Sequence, residues 1–198
     1  MAHARTMASV FGRLRQFGAA ARGVAGIEFA ITGLLLVIGL LNAVDVGYYA
    51  YQRMEVENAA EMGAQAAWKT CNNLTTTMLP ATQINASTGL PNCPTLNATI
   101  TAAIGTTSLP KPVTLASGTG AINPNPGEGY YCVNASNALI FQGNVSSPPT
   151  TCSAGVAPGD YLQVQVTYPY QSLFPGLISV MSGWSGIPIT KTTWMRMG

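Results

Sequence analysis

The sequence predicts an α+β chain: a long N-terminal membrane-spanning helix, then a small antiparallel sheet with long Thr/Asn/Gly/Pro-rich loops. Three observations predict it. Ile27–Ala50 (IEFAITGLLLVIGLLNAVDVGYYA) is predominantly apolar, and no proline interrupts the chain before Pro80. Residues 72–129 are rich in Thr, Asn, Gly and Pro with few bulky apolar side chains, the composition of loops. Tyr161–Tyr168 then alternates, with Leu162, Val164, Val166 and Tyr168 on one side and Gln163, Gln165 and Thr167 on the other, the two-residue period of a half-buried strand.

Composition and charge placement agree with a membrane route. Hydrophobic residues make up 47% of the 198-residue chain and charged residues only 8%, against about 25% charge in an ordinary soluble domain. Arg5, Arg13, Arg15 and Arg22 all precede Gly23 and no acid does. A basic head beside an apolar run holds the N-terminus in the cytoplasm. The expected placement is therefore a single-pass bacterial inner-membrane protein with its C-terminal part in the periplasm. No basic stripe continues past Arg22, so nucleic acid is not an expected partner.

Residues 1–23 read as a Gly/Ala/Arg-rich cytoplasmic leader without clear periodicity. As a helix, the run from Ile27 to Ala50 rises about 36 Å, enough to cross a hydrocarbon core of about 30 Å. Tyr48, Tyr49 and Tyr51 close its outer end, where an aromatic belt is expected. The helix is expected to continue, giving one rod from about Val24 to Trp68, roughly 67 Å long. Val44, Tyr48, Tyr51, Glu55, Ala59, Met62 and Ala66 recur at the 3–4 spacing of a buried face. Gly39, Ala43 and Gly47 form a stripe of small residues, repeated by Ala59, Gly63 and Ala67. Small residues at that interval let helix backbones approach closely in a membrane, although alanine and glycine are common in such helices in any case.

Residues 69–198 are expected to form a periplasmic head. A short helix near Thr95–Ile104 is followed by a weak hairpin of Tyr130–Val133 with Leu139–Gln142. The strong strand Tyr161–Tyr168 finds its partner in Ile187–Met197, and Ser172–Met181 between them reads as an apolar turn or short helix. All four cysteines, Cys71, Cys93, Cys132 and Cys152, follow the apolar run. Two disulfides in an oxidising compartment fit that placement. Pairing of sequence neighbours is preferred to the other two connectivities. The NxS/T triplets at Asn73, Asn85, Asn97, Asn134 and Asn144 are what such a composition yields without glycosylation.

Glu28 is the anomaly. A carboxylate in an apolar run costs on the order of 2.5–3.5 kcal/mol at mid-bilayer on insertion scales, and less near the edge. Cleavage after Gly23 would make Val24 the first residue and Glu28 the fifth, with Phe29 after it. The segment RGVAGIEFAITGLLLVIGLL then resembles a class III signal sequence, the substrate of a prepilin peptidase. The new ammonium at Val24 would lie one helical turn from Glu28, and the carboxylate of one subunit would neutralise the ammonium of the next. Such a pair fixes register, because an unpaired buried charge costs several kcal/mol.

The longer stretch GVAGIEFAITGLLLVIGLLNAVDVGYYAYQRMEVENAAEMGAQAA resembles the TadE-like pseudopilins of tight-adherence (Flp, type IVc) pilus systems. The elements that carry it are Gly23, Glu28-Phe29-Ala30, Leu34–Leu41, Asp45 with Gly47-Tyr48, Glu57-Asn58-Ala59-Ala60 and Gly63-Ala64. Asp45 stands where the family often has glutamate, and the middle third of the chain carries no resemblance. The resemblance implies a pilin-like fold and a structural role in pilus assembly after processing at Gly23–Val24. The partners it implies are the membrane, a prepilin peptidase, the inner-membrane platform and other pilin-like subunits.

Enzyme chemistry finds no support. The one histidine, His3, lies in the leader, and GxSxG, HExxH, Walker A and GxGxxG arrangements are missing from the sequence. No cofactor, metal or small-molecule substrate is expected. Beyond the helix the only acids are Glu128 and Asp160, and nothing in the sequence places them together as a hydrolase pair. The competing reading is an uncleaved, membrane-anchored periplasmic binding or adhesion domain.

Overall fold

The computed structural model describes residues 4–72, 78–117, 125, 127–149, 151–152, 155–174 and 188–198, with side chains from Gly23 onward. One helix, α1 (Ala4–Cys71), dominates. It starts earlier than the sequence suggests, because the basic leader from Ala4 on is helical too. With no proline before Pro80, no backbone N–H is missing along its length. It ends where Cys71 is bonded to Cys93 and the Asn72 amide donates to the Met197 carbonyl.

The remaining elements are α2 (Leu96–Ile104), β1 (Thr114–Leu115), β2 (Gly127–Val133), β3 (Leu139–Asn144), β4 (Gly159–Tyr168) and β5 (Ile189–Arg196). All strand pairs are antiparallel. β4 is the spine of the sheet, with β5 paired to it from Tyr161↔Arg196 to Tyr168↔Ile189. Its other edge is shared: β2 pairs with the first half and β1 with the last turn of the strand, while β3 lies outside β2. Asn125 bridges that shared edge. Its side-chain amide donates to the carbonyls of Ala116 and Gln165, and its Oδ1 accepts the Gln165 N–H.

The α+β architecture, α2, the β2–β3 hairpin and the β4–β5 pair match the sequence expectations, and β1 is an addition. Ser172–Phe174 of the apolar segment is described, and the rest of that segment lies outside the described residues.

The expected buried face of α1 needs correction. Val44, Tyr51 and Met62 are exposed, while Asp45, Gln52, Val56, Ala59, Ala60, Ala64, Ala67 and Cys71 are buried. The 3–4 spacing is right but the stripe is rotated. Around Ala59–Ala67 the reason is close packing: α2 and the inner face of β4 lie directly against α1 there, and small side chains leave room. The core comprises that stripe with Leu96, Ile100 and Ile104 of α2 and Leu162, Val164, Val166 and Tyr168 of β4. A Cβ on Gly63 would lie 2.8 Å from Ile104 Cγ2 and 3.2 Å from Ile100 Cγ2. Ala59, Gly63 and Ala67 therefore pack within the chain's own head.

Candidate functional site

Along α1 the environment changes once. None of residues 23–44 is buried, and Phe29 is 80% exposed. Asp45 is 3% exposed. Residues 23–44 rise about 33 Å at 1.5 Å per residue, which matches a hydrocarbon core of about 30 Å. By length and composition this helix is apolar enough to cross a membrane.

The change at Asp45 has a chemical cause. Its carboxylate accepts three hydrogen bonds from the segment that follows β4. Tyr170 Oη donates to Oδ2 at 2.8 Å, while Ser172 Oγ at 3.0 Å and the Leu173 N–H at 2.7 Å donate to Oδ1. Burial, and then the bond to Asp45, push the Tyr170 phenol well above its ordinary pKa, so it stays a donor at any physiological pH. Tyr49 closes the clamp with its ring edge-on to Tyr170 at 5.0 Å. Tyr51 Oη lies 3.3 Å from Ser108 Oγ. These tyrosines, expected as a membrane belt, thus turn toward the head. The head consequently begins lower on the helix than the sequence suggests, covering Asp45 and part of Tyr48 and Tyr49.

Residues 23–65 match the family described as TadE-like protein. This stretch of the chain is similar to that family. No curated protein and no solved structure matches the chain. The TadE-like segment therefore holds both the bare rod and the clamp carboxylate, while the sheet and α2 lie outside it.

Within the TadE-like segment, Gly23, Val24, Glu28 and Phe29 all stand on the exposed part of α1. Gly39 and Gly47 have nothing within 4 Å of a built Cβ, and Ala43 is exposed, so this half of the small-residue stripe is open to a neighbour. Further out, Glu57 meets Lys191 of β5 at 2.6 Å, and that contact holds the Glu57 carboxyl below its ordinary range. Cys71–Cys93 and Cys132–Cys152 are both disulfide-bonded, the pairing of sequence neighbours.

The head brings together two acids that the sequence left apart. The register Glu128↔Leu162 and Tyr130↔Asp160 puts Glu128 and Asp160 on diagonal positions of adjacent strands. Glu128 is fully engaged: Oε1 accepts the Ala81 N–H, and Oε2 accepts the N–H and hydroxyl of Thr82. It thereby ties the loop before α2 to the sheet. Asp160 is 7% exposed, with Oδ1 unpartnered among the described residues. Burial, and then the charge and hydrogen bond of Glu128, push its carboxyl up to about 7. Through Glu128 the pair sits where the loop before α2 is tied to the sheet.

A pH dependence follows. The folded state keeps a proton on Asp160 that the unfolded chain releases above its ordinary value of 3.8. Stability from this group is therefore full below about pH 4 and declines as pH rises through 7. Urea unfolding between pH 4 and pH 8 is expected to reveal that decline. Asp160→Asn should flatten it and raise stability at pH 8.

The sheet face opposite α1 is aromatic. Tyr131 contacts Phe141, Tyr161 and Trp194 edge-on, with centroids 5.4, 6.0 and 4.9 Å away. A cavity of about 320 Å³ beside them is lined by Tyr131, Tyr161, Arg196 and the Cys132–Cys152 disulfide. Sequence reading missed this face, since its aromatics come from four different strands.

Proposed function

We propose that this protein is a minor pilin or pseudopilin of a tight-adherence (Flp-type) pilus, anchored in the bacterial inner membrane with its head in the periplasm. Its contribution is structural, not catalytic. The observation that carries this reading is the bare TadE-like rod. Apolar residues on all sides of 23–44 need a covering that none of the described residues supplies, and lipid or neighbouring helices supply it. In this reading a prepilin peptidase cuts between Gly23 and Val24. Glu28 then stands four residues from the new ammonium, placed to pair with that of an adjacent subunit. Gly39, Ala43 and Gly47 offer the close-approach face. The inner-membrane platform and other pilin-like subunits are the partners.

Intact mass or N-terminal sequencing of membrane-extracted protein tests the processing step. A chain beginning at Val24 is expected, and Gly23→Val should leave the leader attached. Glu28→Ala should spare the cut and lose piliation, so normal piliation in that strain would remove the register role. A chain retaining Met1 favours the second reading, an uncleaved membrane-anchored periplasmic domain.

A further inference from the structure

We propose that the head is seated on the outer leaflet of the bilayer, with Leu173 and Phe174 forming a second membrane contact beside the transmembrane rod. The inference rests on the membrane reading of residues 23–44 and adds to it a fixed height and orientation for the head.

The height follows from the clamp. The Leu173 N–H is bonded to Asp45 Oδ1 at 2.7 Å, so Leu173 lies level with the residue that directly follows the bare rod. If residues 23–44 fill the hydrocarbon core, Leu173 stands at its outer boundary, within the interfacial region that thickens the bilayer from about 30 to 40–45 Å. Three hydrogen bonds from neighbouring positions fix this level, and Phe174 is held by its own N–H bond to Ser172 Oγ at 3.0 Å.

The chemistry of the segment suits that place. Pro169–Phe174 carries no charged side chain. Leu173 is 47% exposed, next to a rod whose Val44 and Val46 are exposed as well. The hydroxyls at this level are already occupied: Tyr170 and Ser172 donate to Asp45, and Asp45 is covered, while Gln171 is exposed beside them. An apolar side chain beside a satisfied polar clamp, continuous with a lipid-facing helix, is the pattern of an interfacial contact. A water-facing loop at the same height would instead present polar side chains such as the exposed Lys69 and Asn85 elsewhere on the head.

Collision-accessibility measurements with nitroxide labels test this. Leu173→Cys and Phe174→Cys variants of the whole chain, labelled in phosphatidylcholine vesicles, are compared with Ser87→Cys on an exposed head loop and Leu35→Cys in mid-rod. The four native cysteines are paired, so each variant offers one reactive thiol. Labels at 173 or 174 are expected to show an oxygen-to-nickel-chelate collision ratio several-fold above that at 87. If 173 and 174 match 87 while 35 reads lipid, the seated head is overturned and the anchor stands. If 35 also reads water, the anchor and the seat fall together.

Discussion

Asp45→Ala is expected to lower the stability of the head by about 3–5 kcal/mol, among the largest effects available to a single substitution. Each hydrogen bond to a charged acceptor is worth about 1.5–3 kcal/mol, and removing the acceptor leaves its donors unsatisfied. Here the donors are the Tyr170 hydroxyl, the Ser172 hydroxyl and the Leu173 N–H, and both Tyr170 and Ser172 are buried. The three contributions share one carboxylate, so their sum overstates the loss. Deleting a charge near the membrane also eases insertion, but that gain applies equally when only the head unfolds and the helix stays in lipid. It does not offset the destabilisation. Asp45→Asn separates charge from geometry. Its remaining oxygen can keep the Ser172 and Leu173 bonds, and its amide can donate to the Tyr170 oxygen, so a loss of about 1–2 kcal/mol is expected. Urea unfolding in detergent micelles reads both values. Hydrogen exchange at the Leu173 amide should accelerate in Asp45→Ala and much less in Asp45→Asn.

Asp45 also illustrates what the sequence reveals and what it hides. Its position is legible as an acid interrupting an apolar run, and the TadE-like pattern marks it. Its partners are not legible, because Tyr170, Ser172 and Leu173 are far away in sequence and carry no motif. The strands that pair most extensively, β4 and β5, are read correctly since their alternation follows from one face resting on the helix. α2 is read correctly because Leu96, Ile100 and Ile104 fall on one helical face. β1 escapes notice, being two residues held by β4 and Asn125 from outside. Glu128 and Asp160 escape for a related reason: only the register of β2 against β4 brings them together, and strand register leaves little trace in composition. The most instructive miss is the buried stripe of α1. The 3–4 spacing places bulky residues such as Met62 and Tyr51 inside. Size keeps Met62 outside, because beside Gly63 the neighbour comes too close for it, whereas next to Tyr51 the buried position is filled by the large Gln52.

Gly63 is where that closeness is most severe, and its substitutions weigh two opposing terms. In a helix interior glycine costs about 0.8–1 kcal/mol relative to alanine, so Gly63→Ala would stabilise α1 if space allowed. The added Cβ would lie 2.8 Å from Ile104 Cγ2 and 3.2 Å from Ile100 Cγ2. Both are methyls attached directly to branched Cβ atoms, Ile100 within α2 and Ile104 at its last residue, so neither can swing away without moving that helix. Overpacking of a filled core costs about 1–3 kcal/mol, and Gly63→Ala should therefore be near neutral to destabilising by about 2 kcal/mol once the propensity gain is subtracted. Gly63→Val gains less from propensity and adds two further methyls at the same contact, toward Val164 of β4 as well. A loss of about 3 kcal/mol or more is expected for it. Ile104→Ala should restore much of that loss in the double variant, since it removes the methyl that the new side chain meets. Recovery in the pair, read as a positive coupling in a double-mutant cycle, would place the α1–α2 contact at the centre of the head's stability. Additive losses would instead mean that valine acts on α1 alone.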